Sequence, residues 1–275
     1  DGADLAVVEN LCSLPFNAAA ADTLAGMLGG RRAVLHHHDL PWQRERFSAS
    51  PPPPDDPCWL HVTVNDLSRD QLAGRGIRAV TVRNTFDTDA PAGRRERTRR
   101  LLGLEEGQRL VLQPTRALPR KGVPAAVALA EALAAGYWLL GPAEDGYGPE
   151  LERVLGAARV PVWHGRQEGV TVADAYAACD AVAFPSTWEG FGNPVLEAAA
   201  WRRPMAVGPY PVATELAAYG LRWFSPEDAA GIDAWLRGPD RALLDHNREV
   251  VVRHFALKDL PGRLVRLFHD EGWTW

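Results

Sequence analysis

The stretch Pro185-Ser186-Thr187-Trp188-Glu189-Gly190-Phe191-Gly192-Asn193-Pro194-Val195-Leu196-Glu197 follows a short apolar run at 181–184 and leads into a segment of helical composition at 194–200. It reads as a strand-to-helix turn at the carboxyl end of a strand, where open parallel sheets bind ligands. Gly190 and Gly192 let a ligand approach the backbone, and Pro194 suits a first helical turn because its missing N–H has no intrahelical partner there. The positive end of the helix favours phosphate. Glu189 and Glu197, with seven residues between them, are poor partners for phosphate but good acceptors for sugar hydroxyls. A ligand carrying both phosphate and sugar fits this turn. A plain tight turn with Glu197 in solvent fits the same residues.

Outward from this stretch, short apolar runs alternate with amphipathic ones. Strands are predicted at 5–8, 33–37, 59–63 and 79–82, then at 109–113, 137–140, 160–163, 181–184 and 205–207. Helical stretches are predicted at 123–135, 149–155, 172–179 and 194–200, with two more at 242–254 and 257–270. This alternation predicts an α/β fold with parallel sheets. Thr171, with Asp174 three residues on, has the form of a capping box opening the 172–179 helix. Four successive prolines at 51–54 exclude helix or central strand and mark a surface loop. Asp87, Asp89, Pro91 and Gly93 interrupt the apolar pattern, which predicts two domains, 1–88 and 89–275. The run at 94–100 holds six charges in seven residues and reads as a solvated helix face rather than a nucleic-acid patch.

Composition narrows the function. The 275 residues carry a net charge of −5, so no overall positive field would draw in nucleic acid. No apolar run approaches the ~20 residues that span a bilayer, and no basic amphipathic stretch marks a membrane surface. Cys12, Cys58 and Cys179 are odd in number and widely spaced, which suits free thiols in a reducing compartment.

A second loop at a strand's carboxyl end carries charge: Pro114-Thr115-Arg116-Ala117-Leu118-Pro119-Arg120-Lys121-Gly122. Arg116 and Lys121, five positions apart, could converge on one anion, and charge-assisted contacts to phosphate are roughly twice as strong as neutral ones. Lys121 is one of only two lysines among 30 basic residues. Loop solubility is the alternative. In the first half, Leu35-His36-His37-His38-Asp39-Leu40-Pro41-Trp42 closes a strand. Three consecutive histidines make a poor tridentate metal site, because neighbouring residues on a strand point to opposite faces.

Together the Glu–seven residues–Glu turn and the upstream Arg…Lys-Gly loop resemble the donor half of GT-B glycosyltransferases of the retaining, family-4-like group, over most of residues 84–275. The segment 82–87 keeps the Asn and Asp of that family's Pro-Asn-Gly-Val-Asp linker. The resemblance implies two Rossmann-like domains, an acceptor-side one and a nucleotide-sugar one, with the last helix packing on the first. It implies transfer of a hexosyl group from a nucleoside-diphosphate sugar, UDP- or GDP-linked, with retention. In that scheme Arg116 and Lys121 bind the diphosphate and Glu197 the ribose. Glu189 and Gly190, Phe191, Gly192 and Asn193 grip the sugar, with Val195 and Leu196 in the same turn. Gly165 and Arg166 meet the base, and His38 with Asp39 comes from the acceptor side. No metal and no cofactor are implied. The acceptor is a glycan, a lipid or a small molecule, the setting is cytoplasmic, and a lipid acceptor would bring peripheral contact with the inner membrane face. The family's glycine-rich loop after its first strand has no counterpart here. On typical domain size this leaves the first domain short by about 80–100 residues and transfer slow. A GT-B 2-epimerase and a non-catalytic nucleotide-sugar binding module are the rival functions.

Overall fold

The computed structural model describes residues 3–89 and 91–273. Two compact units divide at Asn84 and Thr85. The N-terminal unit contains β1 (Ala6–Glu9), α1 (Ala18–Leu28), β2 (Ala33–His37), β3 (Trp59–Thr63), α2 (Asp66–Ala73) and β4 (Ala79–Thr81). Its sheet is parallel, in the sequential order β1-β2-β3-β4. The second unit begins with α3 (Arg95–Leu101), β5 (Leu110–Gln113), α4 (Val123–Ala132), β6 (Gly136–Leu139), α5 (Gly148–Gly156), β7 (Val162–His164) and α6 (Val172–Ala178). It continues with β8 (Ala181–Phe184), α7 (Asn193–Ala200), β9 (Met205–Val207), α8 (Ala213–Ala218), α9 (Ala229–Arg237), α10 (Arg241–Phe255) and α11 (Leu260–Asp270).

The boundary falls four residues before the expected 88/89. Phe86 is already bound to the second unit: its N–H donates to Phe255 O at 2.8 Å, its carbonyl accepts from Leu257 N at 2.8 Å, and Arg248 donates to Thr88 O at 3.2 Å. The expected strands all form, with ends shifted by one or two residues where the ladder rather than apolarity decides.

In the second unit the strand order is β7-β6-β5-β8-β9, all parallel. The chain winds outward from β5 through β6 to β7, then returns to lay β8 on the other side of β5. That reversal makes β5/β8 a topological switch point, the place where doubly wound sheets open a crevice beyond their strand ends. β5, β6 and β8 are buried along their whole length, as strands covered on both faces must be. One face packs on α4, where Val123, Ala126, Val127, Leu129 and Ala130 are all buried beside Val111, Leu139 and Ala183.

The basic run does not form a purely solvated face. Arg95 Nη1 donates to the carbonyls of Ala177, Ala178 and Cys179 at 2.9, 3.1 and 2.9 Å, capping the C-terminal end of α6, where carbonyls lack helical partners. Arg95 and Arg99 also converge on Asp180, at 2.6 and 3.2 Å, and Asp180 accepts the Leu110 N–H at 2.8 Å. Arg94 grips Asp174, the N3 residue of the α6 capping box, so both ends of α6 are pinned by α3 or its N-cap. The Arg94 guanidinium, with the Thr171 amide, holds the Asp174 carboxyl well below the usual range against the opposing effect of burial.

Asp180→Ala leaves two guanidinium groups and an amide short of an acceptor. It should lower the unfolding free energy by about 2 kcal/mol in a urea titration, while Arg100→Ala, on the exposed side of α3, should change it by under about 0.5 kcal/mol. Equal effects would mean that the arginine run is only a charged surface.

Candidate functional site

The loops that follow β5 and β8 meet at the switch point. Gly122 has φ +64°, and a Cβ there would lie 2.5 Å from Pro185 O, so the two backbones touch where only glycine fits. Thr187 N donates to Arg120 O at 2.9 Å across the same seam. From below, Gln113 at the end of β5 donates through Nε2 to Lys121 O at 2.8 Å, and its Oε1 accepts the Tyr137 hydroxyl at 2.5 Å. This scaffold brings Lys121 Nζ to 2.5 Å from Glu189 Oε1, with both residues buried. Burial pushes the Lys121 ammonium below its ordinary pKa, and Glu189 opposes that shift.

Beyond Glu189 the chain turns through Gly192, at φ +104°, into α7 with Pro194 in the first turn, as expected. A Cβ on Gly192 would lie 2.0 Å from the Tyr210 hydroxyl oxygen. Phe191 is buried edge-on to Phe255, while Asn193 is exposed. Val195 and Leu196 are fully buried, so any contribution they make at the turn passes through the backbone. Glu197 does not lie free in solvent: it accepts the buried Tyr176 hydroxyl at 2.6 Å, and burial pushes its carboxyl above the usual range.

A cleft of 690 Å³ is lined by Arg116, Gly141, His164, Gly165, Arg166 and Glu197, among others. A Cβ on Gly141 would meet Thr115 O at 2.5 Å, which keeps the post-β5 and post-β6 loops in contact at the cleft. His164 Nε2 donates to Gly141 O at 3.0 Å, and Trp138 Nε1 donates to Gly165 O at 3.0 Å, fixing the turn after β7. Arg116 Nη1 donates to Glu144 Oε2 at 2.6 Å on the exposed rim, a pairing worth at most about 1 kcal/mol. Four of the expected residues, Arg116, Gly165, Arg166 and Glu197, thus share one cleft. Arg116 and Lys121 do not converge on a shared partner as their spacing suggested, because the turn at Pro119–Lys121 sends Lys121 inward to Glu189 and leaves Arg116 on the rim.

In the N-terminal unit, His38 sits just past the carboxyl end of β2, with Asp39 next to it. Asp39 turns away to an ion pair with Arg44 at 2.7 Å. The carboxylate at His38 is Glu9, whose Oε2 lies 3.2 Å from His38 Nε2 and 2.9 Å from His36 Nδ1. His37, on the opposite face, is buried in a file of hydrogen bonds. Ser13 Oγ is 2.7 Å from its Nδ1, its Nε2 is 2.9 Å from His61 Nδ1, and His61 Nε2 is 3.1 Å from Asp55 Oδ1. Burial drives the His37 imidazole down to about 3, with His61 adding to the effect. Trp42 is a packing residue: its Nε1 donates to Gln71, and Arg75 stacks on its ring at 3.6 Å.

Residues 111–233 match the family described as Glycosyl transferases group 1. Over that segment the chain is similar to the group 1 glycosyl transferases. Mannosylglucosylglycerate synthase from Thermotoga maritima is 26% identical over an alignment of 324 positions, gaps included, that covers 96% of this chain and 75% of that protein. The crystal structure of Anabaena Alr3699/HepE in complex with UDP-glucose superposes with a TM-score of 0.75 at 21% identity, covering 97% of this chain and 79% of that one. Sucrose-phosphate synthase from Thermosynechococcus elongatus gives 0.74 at 18%, covering 98% and 74%. The fold is GT-B, α/β with parallel sheets.

The cleft of the second unit is held together by groups that sequence reasoning missed: Gln113, Tyr137, Tyr176 and Tyr210. Gln113, a polar residue closing an apolar strand, was the one visible signal. The tyrosines join the site only through tertiary contact.

Lys121→Met strands Glu189 in a buried position and should cost about 3 kcal/mol of stability in chemical unfolding. Adding Glu189→Leu should restore much of that loss, and a double variant as unstable as the single one would show that the pair is not what holds the loops. In the N-terminal unit the unfolded His37 takes up a proton that the folded ring refuses. The unit's stability should therefore fall as pH drops from about 6.5 towards 3, and His37→Asn should remove much of that slope. A wild-type chain with flat stability across this window would mean that His37 is charged in the fold.

Proposed function

We propose that this chain moves a hexosyl group from a nucleoside-diphosphate sugar to a hydroxyl acceptor with retention of anomeric configuration. The carrying observation is one cleft beyond the carboxyl ends of the second sheet, where Arg116, Arg166 and Glu197 gather around the turns after β5 and β7. The cleft offers cations for a diphosphate, a carboxylate for ribose hydroxyls and, at Gly165, a backbone turn for the base. Arg116 can leave Glu144 for phosphate at little cost, since the pair is exposed. Lys121 stands behind it, ready to exchange Glu189 for developing charge on the leaving phosphate, and a released Glu189 carboxylate is an acceptor for sugar hydroxyls. Those cations do the work that a metal would otherwise do for the donor.

In this reading Glu189 serves the sugar hydroxyls and Glu197 the ribose, and no carboxylate among the described residues is assigned as a covalent nucleophile. This favours substitution on one face of the sugar, in which the leaving phosphate takes the acceptor's proton. His38 is the residue of the N-terminal unit proposed to serve the sugar. A UDP-linked donor is favoured over a GDP-linked one, since the Anabaena protein was crystallised with UDP-glucose. The acceptor is a glycan, a lipid or a small molecule. No helix among the described residues is long and apolar enough to cross a membrane. Work in the cytoplasm, with peripheral membrane contact if the acceptor is a lipid, belongs to the same proposal.

Calorimetric titration of UDP and GDP without added metal tests the site. UDP should saturate, and Arg116→Ala should weaken it at least tenfold, about 1.4 kcal/mol. Glu144→Gln, which frees Arg116, should tighten it. A folded chain that binds neither nucleotide, or binds UDP equally well without Arg116, would overturn the proposal. Proton spectra of products from UDP-glucose then report the anomer formed.

A further inference from the structure

Glu9 and His36 are register partners on adjacent parallel strands, and His38 lies two residues beyond His36 on the same side of β2. One oxygen of Glu9 faces His36 Nδ1 at 2.9 Å and His38 Nε2 at 3.2 Å, and the three atoms all lie within 4.8 Å of one another. A tetrahedral zinc-class ion with bonds of about 2.0–2.1 Å needs its ligand atoms about 3.3–3.4 Å apart, so only small side-chain shifts separate this cluster from a coordination sphere. We propose that Glu9, His36 and His38 bind one divalent first-row transition ion, with zinc as the natural occupant.

The surroundings favour such a site. The Glu9 carboxylate has no lysine or arginine partner among the described residues, so its charge is not already neutralised. Asp39, the carboxylate nearest in sequence, is removed from competition by Arg44. The geometry of His38 is fixed independently of its ring: its backbone N–H donates to Asn10 Oδ1 at 3.0 Å, and Asn10, in the left-handed region at φ +59°, donates its own N–H to His36 O at 2.8 Å. Side-chain exposures of 61% for Glu9 and 45% for His38 leave solvent access for an ion and a fourth, water ligand. His37 takes no part, since it faces away into the Ser13–His61 file. On binding, each imidazole presents a lone pair at the nitrogen that now faces Glu9 and carries its proton on the other. Two imidazoles with one carboxylate suit zinc, cobalt or nickel and not magnesium, which demands oxygen ligands.

The site stands without the transferase reading. Where both hold, the ion occupies the His38 nitrogen proposed to serve the sugar, and zinc should slow transfer.

The test is titration of Co²⁺ and then Zn²⁺ into the metal-free chain, with no nucleotide present. One equivalent should bind, with visible d–d absorption and no sulfur-to-metal band, displaced by Zn²⁺ and not by millimolar Mg²⁺. Glu9→Gln and His36→Gln should each weaken binding at least tenfold, and Asp39→Asn should not. In the wild-type chain, Zn²⁺ should shift the imidazole nitrogen resonances of His36 and His38 and leave those of His37 and His61 in place. No stoichiometric binding, a thiolate band pointing to Cys12 or Cys58, or unchanged His36 and His38 resonances would each overturn the proposal. Because donor binding is measured separately, failure here leaves the nucleotide site standing, and failure there leaves this one.

Discussion

Everything at the candidate site depends on two stretches of backbone being forced into contact. The loop after β5 and the loop after β8 meet with no room for a side chain at Gly122, and Thr187 closes the seam with a hydrogen bond to Arg120. Gln113 ties the first loop down through the Lys121 carbonyl. With the backbone fixed in this way, Lys121 has one direction to go, inward, and Glu189 is the group waiting there. A buried ion pair is a poor source of net stability, since desolvation consumes most of the attraction. Its value is specificity: neither charge can move without a replacement, so the loop conformation and the pair select each other.

The two cations of the loop therefore differ in kind. Arg116 lies on the rim with a weak partner, so its reorientation costs little. Lys121 is bound to a carboxylate from which it cannot part unless another anion arrives. A diphosphate entering the cleft would meet the first cation at once and recruit the second only as its own charge replaces that of Glu189. That ordering follows from burial alone, before any chemistry.

Much of this was legible in the chain. The alternation of apolar runs located the strands among the described residues, most directly β5, β6 and β8, which are buried along their whole length. The Glu–seven residues–Glu spacing with its two glycines and proline located the turn, and the helix opens there as the proline demands. Illegible were the partners. Nothing along the chain tells Glu9 to meet His38 from the neighbouring strand; the β1–β2 register decides that, while the turn at Pro41–Gln43 brings Arg44 back to Asp39. The arginine run was misjudged for the same reason. A charge-rich segment looks solvated until the carbonyl end of α6 and Asp180 are brought against it. The three histidines show the principle most plainly: alternation along β2 does exclude a cluster of all three, yet it places the outer two together and sends the middle one to a different neighbourhood.

The burial of Lys121 also shapes how the molecule meets reagents. The chain has two lysines, Lys121 and Lys258, and only Lys258 stands exposed. Acylating and cross-linking agents that seek a neutral amine will find Lys258 readily. Lys121, sealed behind the loop seam and bound to a carboxylate, reacts only when the seam opens. Its rate of labelling is thus a clock for that opening, built into the sequence by the scarcity of any other lysine to confuse the signal.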